Sequence, residues 1–232
     1  MAKKPNILFF HVDNLGMGEL GCYGGGILRG ADTKRMDAFA KQGVKLTHYV
    51  VEPQCTPTRS ALMTGRFPIR SGNHTIALGG NGGGIVKWER TIGAILSEAG
   101  YATSIYGKWH IGAEDGRFPT DHGFDEWYGP LRTYDECMWL TDPHYVAERD
   151  GFSHMHEGVK GKGAWPLKDE QLTMETKKTC DLGYQKRAIK FMEKSVKADK
   201  PFYCYFNHSL MHFPMSPRDE FVGKSTNGDW GD

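Results

Sequence analysis

The sequence predicts an α/β protein in which a mostly parallel sheet is layered between helices. Three observations support this prediction: short apolar runs typical of buried strands, helix-like segments that alternate with these runs, and polar residues that directly follow three of them. The chain has 232 residues, of which 39% are hydrophobic and 12% aromatic, so it can bury a core. It contains no internal repeat and no linker that would divide it into domains.

The predicted strands are short apolar segments. Ile7–Val12 is a continuous run of the kind that is buried on both faces of a parallel sheet. Residues 102–106 and 202–206 have the same character. Apolar side chains at even spacing predict a further strand over residues 44–50.

The predicted helices have recognisable ends. Thr33 suits the N-cap of a helix over residues 33–43, where a glycine ends it. A proline suits the first turn of a helix over residues 57–65, which places Cys55 at the helix entrance. Two more helices are predicted over residues 91–100 and 176–197. The apolar residues at helical spacing in these two are Ile92, Ile95, Leu96 and Ala99, which we expect to face inward, and Leu182, Ile189, Met192 and Val196.

The charge and cysteine content exclude several classes of protein. With 29 Lys and Arg against 28 Asp and Glu, the net charge of +1 argues against nucleic acid or an anionic membrane as a partner. No apolar run approaches the ~20 residues that cross a bilayer, and none resembles a signal peptide. This favours a cytoplasmic location and leaves an extracytoplasmic one open. The 5 cysteines are widely spread, which indicates neither a disulfide framework nor a zinc site.

Polar residues follow three of the predicted strands. In open α/β sheets, ligands bind beyond the carboxyl ends of the strands, so residues from distant parts of the chain can meet there. We therefore expect one shared site at this edge. The residues concerned are Asp13 and Asn14, Lys108 and His110, and His208 and His212.

The segment over residues 55–66, CTPTRSALMTGR, carries a specific motif. It reads Cys-x-Pro-x-Arg followed by Ser-Ala-Leu-x-Thr-Gly-Arg, and it resembles the activation signature of type I sulfatases, the arylsulfatase-like branch of the alkaline-phosphatase superfamily. Four further segments resemble the family in the same order, and the implied fold is that of the alkaline-phosphatase superfamily. They are PNILFFHVDNLG at 5–16, GKWHIG at 107–112, GFD at 123–125 and HFP at 212–214.

The resemblance implies hydrolysis of a small-molecule or carbohydrate sulfate ester through a modified Cys55. In the family this cysteine is oxidised to formylglycine by a formylglycine-generating enzyme, and the aldehyde is hydrated to a diol. A serine would leave a sulfate ester that water must hydrolyse. A diol instead keeps a second hydroxyl on the same carbon, and its deprotonation expels sulfate and restores the aldehyde.

The resemblance also implies a divalent metal held by Asp13, Asn14 and the modified Cys55. Carboxylate and amide oxygens suit Ca²⁺, with Mg²⁺ as the alternative. The metal would lower the pKa of a diol hydroxyl and draw charge from the sulfate oxygens. Many members resemble Asp-Asp at this point, so Asn14 removes one negative charge from the site.

The other site residues are assigned by the same resemblance. Arg59 supports the modified residue and its metal-bound oxygen electrostatically. Lys108 contacts a sulfate oxygen, and His110 is the base that deprotonates the second hydroxyl. His212 contacts sulfate and gives a proton to the leaving alcohol. His208 has no counterpart in the pattern, and we interpret it as a surface or supporting polar residue.

The family pattern continues beyond the last residue of this sequence. Members usually add an Asp-Asn pair that completes the metal site, a lysine that contacts sulfate, and a smaller C-terminal domain. We therefore expect residues 1–232 to be the N-terminal portion of a sulfatase catalytic domain, truncated before the second metal-binding segment. A calcium site generally takes six or more oxygens, so we expect this piece alone to be weak or inactive.

Two alternative functions and the substrate stay open at this point. One alternative is a phosphate or phosphonate monoester hydrolase of the same superfamily. The other is an inactive anion-binding fragment in which Cys55 keeps its thiol. Aromatic and histidine residues in the segments 72–87 and 132–165 either line a substrate pocket or pack in the core, so the natural sulfate ester is not readable from the sequence.

Overall fold

A computed structural model describes residues 4–76, 83–151 and 153–232. The chain divides into two compact units. The first unit comprises the residues up to His11 together with Glu52–Ser209, and the second comprises Val12–Val51 with Leu210–Asp232.

Strands and helices alternate along the described residues. The strands are β1 (Ile7–Val12), β2 (Ala102–Tyr106), β3 (Glu126–Pro130), β4 (His154–Val159), β5 (Gly163–Gln171) and β6 (Phe202–His208). The helices are α1 (Lys34–Ala40), α2 (Cys55–Thr64), α3 (Pro68–Ser71), α4 (Ile92–Glu98), α5 (Ala147–Asp150) and α6 (Met174–Lys197). Short 3-10 helices span Met17–Glu19, Gly21–Tyr23, Gly26–Arg29, Pro119–His122, Tyr134–Thr141 and Gly228–Trp230.

The described strands form one mixed sheet in the order β1-β6-β2-β3-β4-β5. Strand β2 runs parallel to both β6 and β3, whereas β4 is antiparallel to β3 and to β5. The α/β class is therefore confirmed, with an antiparallel addition on one side. Because β4 runs backwards, its first residues lie at the edge where β2, β3 and β6 end, with Pro130 opposite Met155.

The central strands are buried on both faces. On β2, Tyr106 packs in one hydrophobic cluster and Ile105 in the other. On β6, Phe206 and Tyr205 divide in the same way between the two clusters. This alternation explains why both strands read as continuous apolar runs, since neither face meets water.

Strand β1 has the predicted bounds, but the prediction that it is buried on both faces is wrong. Leu8 and Phe10 are each 52% exposed, while Ile7 and Phe9 pack against the core. The reason is position, because β1 occupies one edge of the described sheet. Composition does not distinguish an edge strand from a central one when both are rich in Leu, Ile and Phe.

The strand predicted over residues 44–50 is also wrong. This segment has no regular secondary structure, and Val44 and Val50 are 89% and 86% exposed. Even spacing of apolar residues favours a strand only when a partner strand supplies hydrogen bonds, and this information is not local.

The predicted helices are present, with α2 beginning two residues before Pro57. The inward face predicted for α4 is wrong in part, because Ile92 and Leu96 pack against the core but Ile95 does not. On α4, Ile95 is 51% exposed. On α6, Leu182, Ile189 and Val196 are exposed, and the buried side chains follow another stripe of the helix. That stripe consists of Lys177, Cys180, Tyr184, Ala188, Phe191 and Ser195. The stripe includes a lysine and a serine, so apolar residues alone did not reveal it.

The segments proposed to set selectivity are only partly irregular. Residues 132–165 contain a 3-10 helix, α5, β4 and the start of β5. In the segment 72–87, residues 77–82 lie outside the described part of the chain. Within the described part, no helix has the length and apolar composition to cross a membrane.

Candidate active site

The signature cysteine lies at the first residue of α2. Gln54 precedes it in an extended conformation, and its carbonyl accepts a hydrogen bond from the Thr58 amide at 3.0 Å. Amides in the first turn of a helix lack intrahelical acceptors and favour negative charge nearby. The partly exposed Cys55 therefore lies where a helix can stabilise an anion.

His110 lies next to this cysteine. Its Nδ1 is 3.2 Å from Sγ of Cys55, and its carbonyl accepts a hydrogen bond from Thr56 Oγ1 at 3.0 Å. The amide of His110 donates to the carbonyl of Leu131 at 3.0 Å. With φ at 58°, His110 adopts a left-handed conformation, which is uncommon outside glycine and is often found at functional positions. Backbone hydrogen bonds on both sides hold His110 beside position 55.

Arg59 is held one turn further along α2. Its side chain is buried, and Nη1 donates to the carbonyl of Lys108 at 2.9 Å and to the Tyr205 hydroxyl at 3.3 Å. Nη2 donates to Oδ1 of Asn207 at 3.3 Å. These three acceptors are neutral oxygens, and together they orient the guanidinium. Such contacts suit a cation whose task is to meet an anion.

Asn207 connects this arginine to the loop after β2. Its Nδ2 donates to the Lys108 carbonyl at 2.7 Å, so that carbonyl accepts from both Arg59 and Asn207. Gly107 allows this close approach, because a Cβ at Gly107 would lie 2.1 Å from the Asn207 carbonyl oxygen. We refer to Arg59, Asn207 and the Lys108 carbonyl as the arginine brace.

The side chain of Lys108 is completely buried in the same region. Nζ donates to Thr133 Oγ1 at 3.3 Å and lies 6.0 Å from the centre of the Tyr134 ring. Burial raises the pKa of Tyr134 well above its ordinary value, so the ring stays neutral and its face can attract the ammonium. A buried ammonium held in this way is suited to bind an anionic oxygen.

The second unit contains Asp13, Asn14 and His212 of the predicted site residues. Asp13 directly follows β1 and is buried, and its Oδ2 lies 4.0 Å from Nε2 of His212. Nδ1 of His212 donates to the Phe213 carbonyl at 2.6 Å, which directs Nε2 towards the carboxylate. Asn14 is exposed and has a φ of 71°, a conformation that asparagine tolerates better than most residues.

These residues fit a divalent metal only in part. The carboxylate of Asp13 and the amide carbonyl of Asn14 are ligands that Ca²⁺ and Mg²⁺ accept. Among residues 4–76, 83–151 and 153–232, no group of three or more His, Cys, Asp or Glu side chains could hold a metal. The described residues therefore offer only part of a ligand set for a divalent cation.

The structure thus brings Cys55, Arg59, Lys108 and His110 together in the first unit. The chain belongs to the sulfatase family. The family model described as Sulfatase matches residues 5–230.

Several known sulfatases are similar to this chain over its whole length. The N-acetylgalactosamine-6-sulfatase of Canis lupus familiaris is 32% identical over 240 residues, which cover 99% of this chain and 44% of that protein. Human arylsulfatase A is 32% identical over 242 residues, which cover 100% of this chain and 46% of that protein. The chain therefore spans less than half the length of these relatives.

Solved sulfatase structures share the fold. The PsFucS1 sulfatase from Pseudoalteromonas sp. superimposes with a TM-score of 0.84 at 32% identity, covering 96% of this chain and 47% of that one. Ps i-CgsB in complex with k-i-k-neocarrahexaose superimposes with a TM-score of 0.71 at 28% identity, covering 94% of this chain and 47% of that one.

Sequence reasoning on this chain missed Tyr205, Asn207 and Thr133. Asn207 carried a signal, since it is the first polar residue after the apolar run of β6. Tyr205 carried none, because a tyrosine in a buried strand is ordinary. His208, interpreted as a supporting residue, has Nδ1 at 3.5 Å from Asp181 Oδ2.

Proposed function

We propose that the whole protein hydrolyses sulfate esters through a formylglycine made from Cys55. The observation that supports this most directly is the position of Cys55 at the start of α2, with Sγ 3.2 Å from His110 Nδ1. The sulfatase family model over residues 5–230 supports the same reaction. The modification itself would be a two-electron oxidation of Cβ with loss of the sulfur as sulfide, carried out by a separate formylglycine-generating enzyme that supplies the oxidant.

The residues around Cys55 suit this chemistry. In hydrated formylglycine, two hydroxyl groups take the place of Sγ. One hydroxyl loses its proton to solvent as its oxygen attacks sulfur, the S–O bond to the alcohol breaks, and the alcohol takes a proton from His212. The second hydroxyl then gives its proton to His110, its electron pair forms the aldehyde C=O bond, and the C–O bond to sulfate breaks. Water adds to the aldehyde and regenerates the diol.

The two buried cations would act on the sulfate group and on the oxygen at position 55. Lys108 would bind a sulfate oxygen, and Arg59, oriented by the arginine brace, would stabilise the oxygen anion formed at position 55. Fixed donors of this kind stabilise the transition state because they need not reorganise as charge develops. Both cations lie in the interior, where water screens them little.

A bound Ca²⁺ or Mg²⁺ would add positive charge against the sulfate and the attacking oxygen. Asp13 and Asn14 would hold it.

We expect a chelator to remove activity and added Ca²⁺ to restore it, measured as turnover of an aryl sulfate. We expect Asn14→Asp to bind Ca²⁺ several-fold more tightly by calorimetry, because it adds a carboxylate charge. Turnover that the chelator does not change, together with equal Ca²⁺ affinities of Asn14→Asp and the unaltered protein, would contradict the assignment of Asp13 and Asn14 as ligands.

We propose a sulfated carbohydrate as the substrate. Support comes from the relatives, since one is named for N-acetylgalactosamine-6-sulfate chemistry and another structure holds k-i-k-neocarrahexaose.

Peptide mass spectrometry and kinetics together test this function. We expect a peptide spanning Cys55 from the whole protein to carry an aldehyde. Cys55→Ala should lower kcat for an aryl sulfate by about 10³-fold or more, because it removes the nucleophile. Cys22→Ala, at another partly buried cysteine outside the motif, serves as the control and should keep normal turnover. An intact thiol at Cys55, or faster turnover of the matching aryl phosphate, would refute the proposal.

A further inference from the structure

The first unit contains a polar cavity near the candidate active site. It has a volume of about 250 Å³. This is slightly below the ~300–1,000 Å³ of sites for drug-sized ligands, so it suits a single ring. Its lining includes Leu131, Arg132, Glu136, Ser153, His154 and His156.

The sheet topology places this cavity at the edge that carries the catalytic candidates. Strand β4 begins at His154, and its antiparallel pairing sets this end beside the end of β3. The end of β5 lies at the same edge, with Gln171 opposite His154. Neighbouring strands are about 4.8 Å apart, so the start of β4 lies about 10 Å from the end of β2, which leads to Lys108.

Three consecutive residues connect the cavity with the candidate active site. The Leu131 carbonyl accepts the amide hydrogen bond of His110 at 3.0 Å. Arg132 lines the cavity. Thr133 Oγ1 accepts a hydrogen bond from Nζ of Lys108 at 3.3 Å. A ligand in the cavity would thus touch the segment that positions both Lys108 and His110.

The cavity presents paired charges. Arg132 Nε donates to Glu136 Oε1 at 2.6 Å, and the Ser153 hydroxyl donates to Oε2 of the same carboxylate. The guanidinium lies 5.6 Å from the centre of the Trp139 ring. Because this carboxylate balances the guanidinium, the pair suits hydroxyl groups, which both accept and donate hydrogen bonds, better than a second anion.

His156 adds a neutral ring to the same wall. It stacks on Trp127 with ring centres 5.7 Å apart, and its Nδ1 donates to the His154 carbonyl at 2.9 Å. Burial lowers the pKa of His156 to about 4, so this imidazole is uncharged near neutral pH.

We propose that this cavity binds the sugar ring that adjoins the sulfated one, through its hydroxyl groups, and that Arg132 determines this specificity. The inference rests on the proposed function and extends it, because it makes the preferred substrate a sulfated oligosaccharide of at least two rings.

Selectivity between two substrates tests the subsite. We expect the whole protein to prefer a sulfated disaccharide to the matching sulfated monosaccharide in kcat/KM. Arg132→Ala should lower kcat/KM for the disaccharide at least tenfold more than for the monosaccharide, mainly through KM. Arg187→Ala is the matched control, since Arg187 also pairs with a glutamate, Glu157, at 2.6 Å outside the cavity. This control should change the ratio of kcat/KM for the disaccharide to kcat/KM for the monosaccharide by less than twofold.

A second variant tests the same role in case Arg132→Ala folds poorly. Arg132→Met combined with Glu136→Gln removes both charges, so no buried carboxylate loses its partner. It should show the same loss of selectivity. Equal losses for both substrates, or no loss for either, would overturn the subsite and leave the proposed function standing.

Direct binding separates the two proposals. If the unaltered protein turns over neither substrate, the proposed function fails. Calorimetry with the same two saccharides then decides on the subsite alone. Tighter binding of the disaccharide, lost in Arg132→Ala, supports it, and equal binding of both saccharides refutes it.

Discussion

Two arginines of the first unit are held in different ways. Arg59 is buried and donates to neutral oxygens of Lys108, Tyr205 and Asn207, whereas the Arg187 side chain on α6 is 40% exposed and pairs with Glu157. The Arg187 guanidinium also covers the Tyr128 ring at 3.9 Å.

The difference separates a buried arginine beside the motif cysteine from a partly exposed one on α6. Arg187 lines a cavity of about 670 Å³, larger than the one beside Arg132, yet its charge is matched by a carboxylate. Arg59 does not line that cavity or the one beside Arg132, but three hydrogen bonds fix its orientation. Cavity size alone would therefore favour the region of Arg187 over the candidate active site.

The strongest test removes the close approach that forms the arginine brace. Gly107→Ala would place a Cβ 2.1 Å from the Asn207 carbonyl oxygen at a φ of 108°. We expect a loss of about 4 kcal/mol or more in the free energy of unfolding, since backbone must move. Gly161→Ala is the control, with a φ of 78° and no atom within 4 Å of its Cβ, and should cost about 1 kcal/mol. Denaturant melts that show equal losses would contradict this difference.

The next test separates orientation of Arg59 from simple stability. Asn207→Leu removes two buried hydrogen bonds and should cost about 3 kcal/mol of unfolding free energy. It should also lower kcat more than about tenfold. Asn73→Leu removes another buried amide, which bonds Ser60 and Gly84, and should lower stability with little change in kcat. Equal kcat in the two variants, at matched folded fractions, would show that the brace is only structural.

A smaller effect on the free energy of unfolding is expected when the pH is lowered. Burial lowers the pKa of His156 from 6.5 to about 4, so the unfolded chain binds a proton more readily than the folded one. Stability from this group is fully present above pH 6.5 and falls as the pH is lowered to about 4, by about 2 kcal/mol. His156→Phe should flatten this part of the curve of unfolding free energy against pH. An unchanged slope between these pH values would mean that the imidazole is not kept neutral.

The smallest effect is expected at the partly exposed ion pair of Arg187 with Glu157. Arg187→Ala should cost about 0.5–1 kcal/mol, because partly exposed ion pairs contribute little and the contact with Tyr128 adds a modest amount. The ion-pair part of this loss should shrink at high salt, whereas the loss in Asn207→Leu should not. Thermal unfolding of both variants at low and high salt measures this, and a salt-independent loss of several kcal/mol at Arg187 would remove the distinction between the regions.

Local features of the sequence predicted the elements that position the motif. The bounds of β2 and the end of α2 at Gly65 were predicted correctly, because apolar runs and glycine termination act locally. The strands β4 and β5 were not predicted, since their sequences are polar and include Pro166. They form by pairing with each other and with β3, which no single segment reveals.

The sequence by itself determined the chemical groups: Cys55 in its motif, the helix that begins there, and the family. Tertiary structure decided how those groups are held. Asn207 meets Arg59 and the Lys108 carbonyl only because three distant segments converge, and Arg132 lines a cavity only because β4 runs backwards. Residue type fixes what a side chain can donate, accept or carry as charge. Its partners depend on non-local packing, which composition and periodicity do not encode.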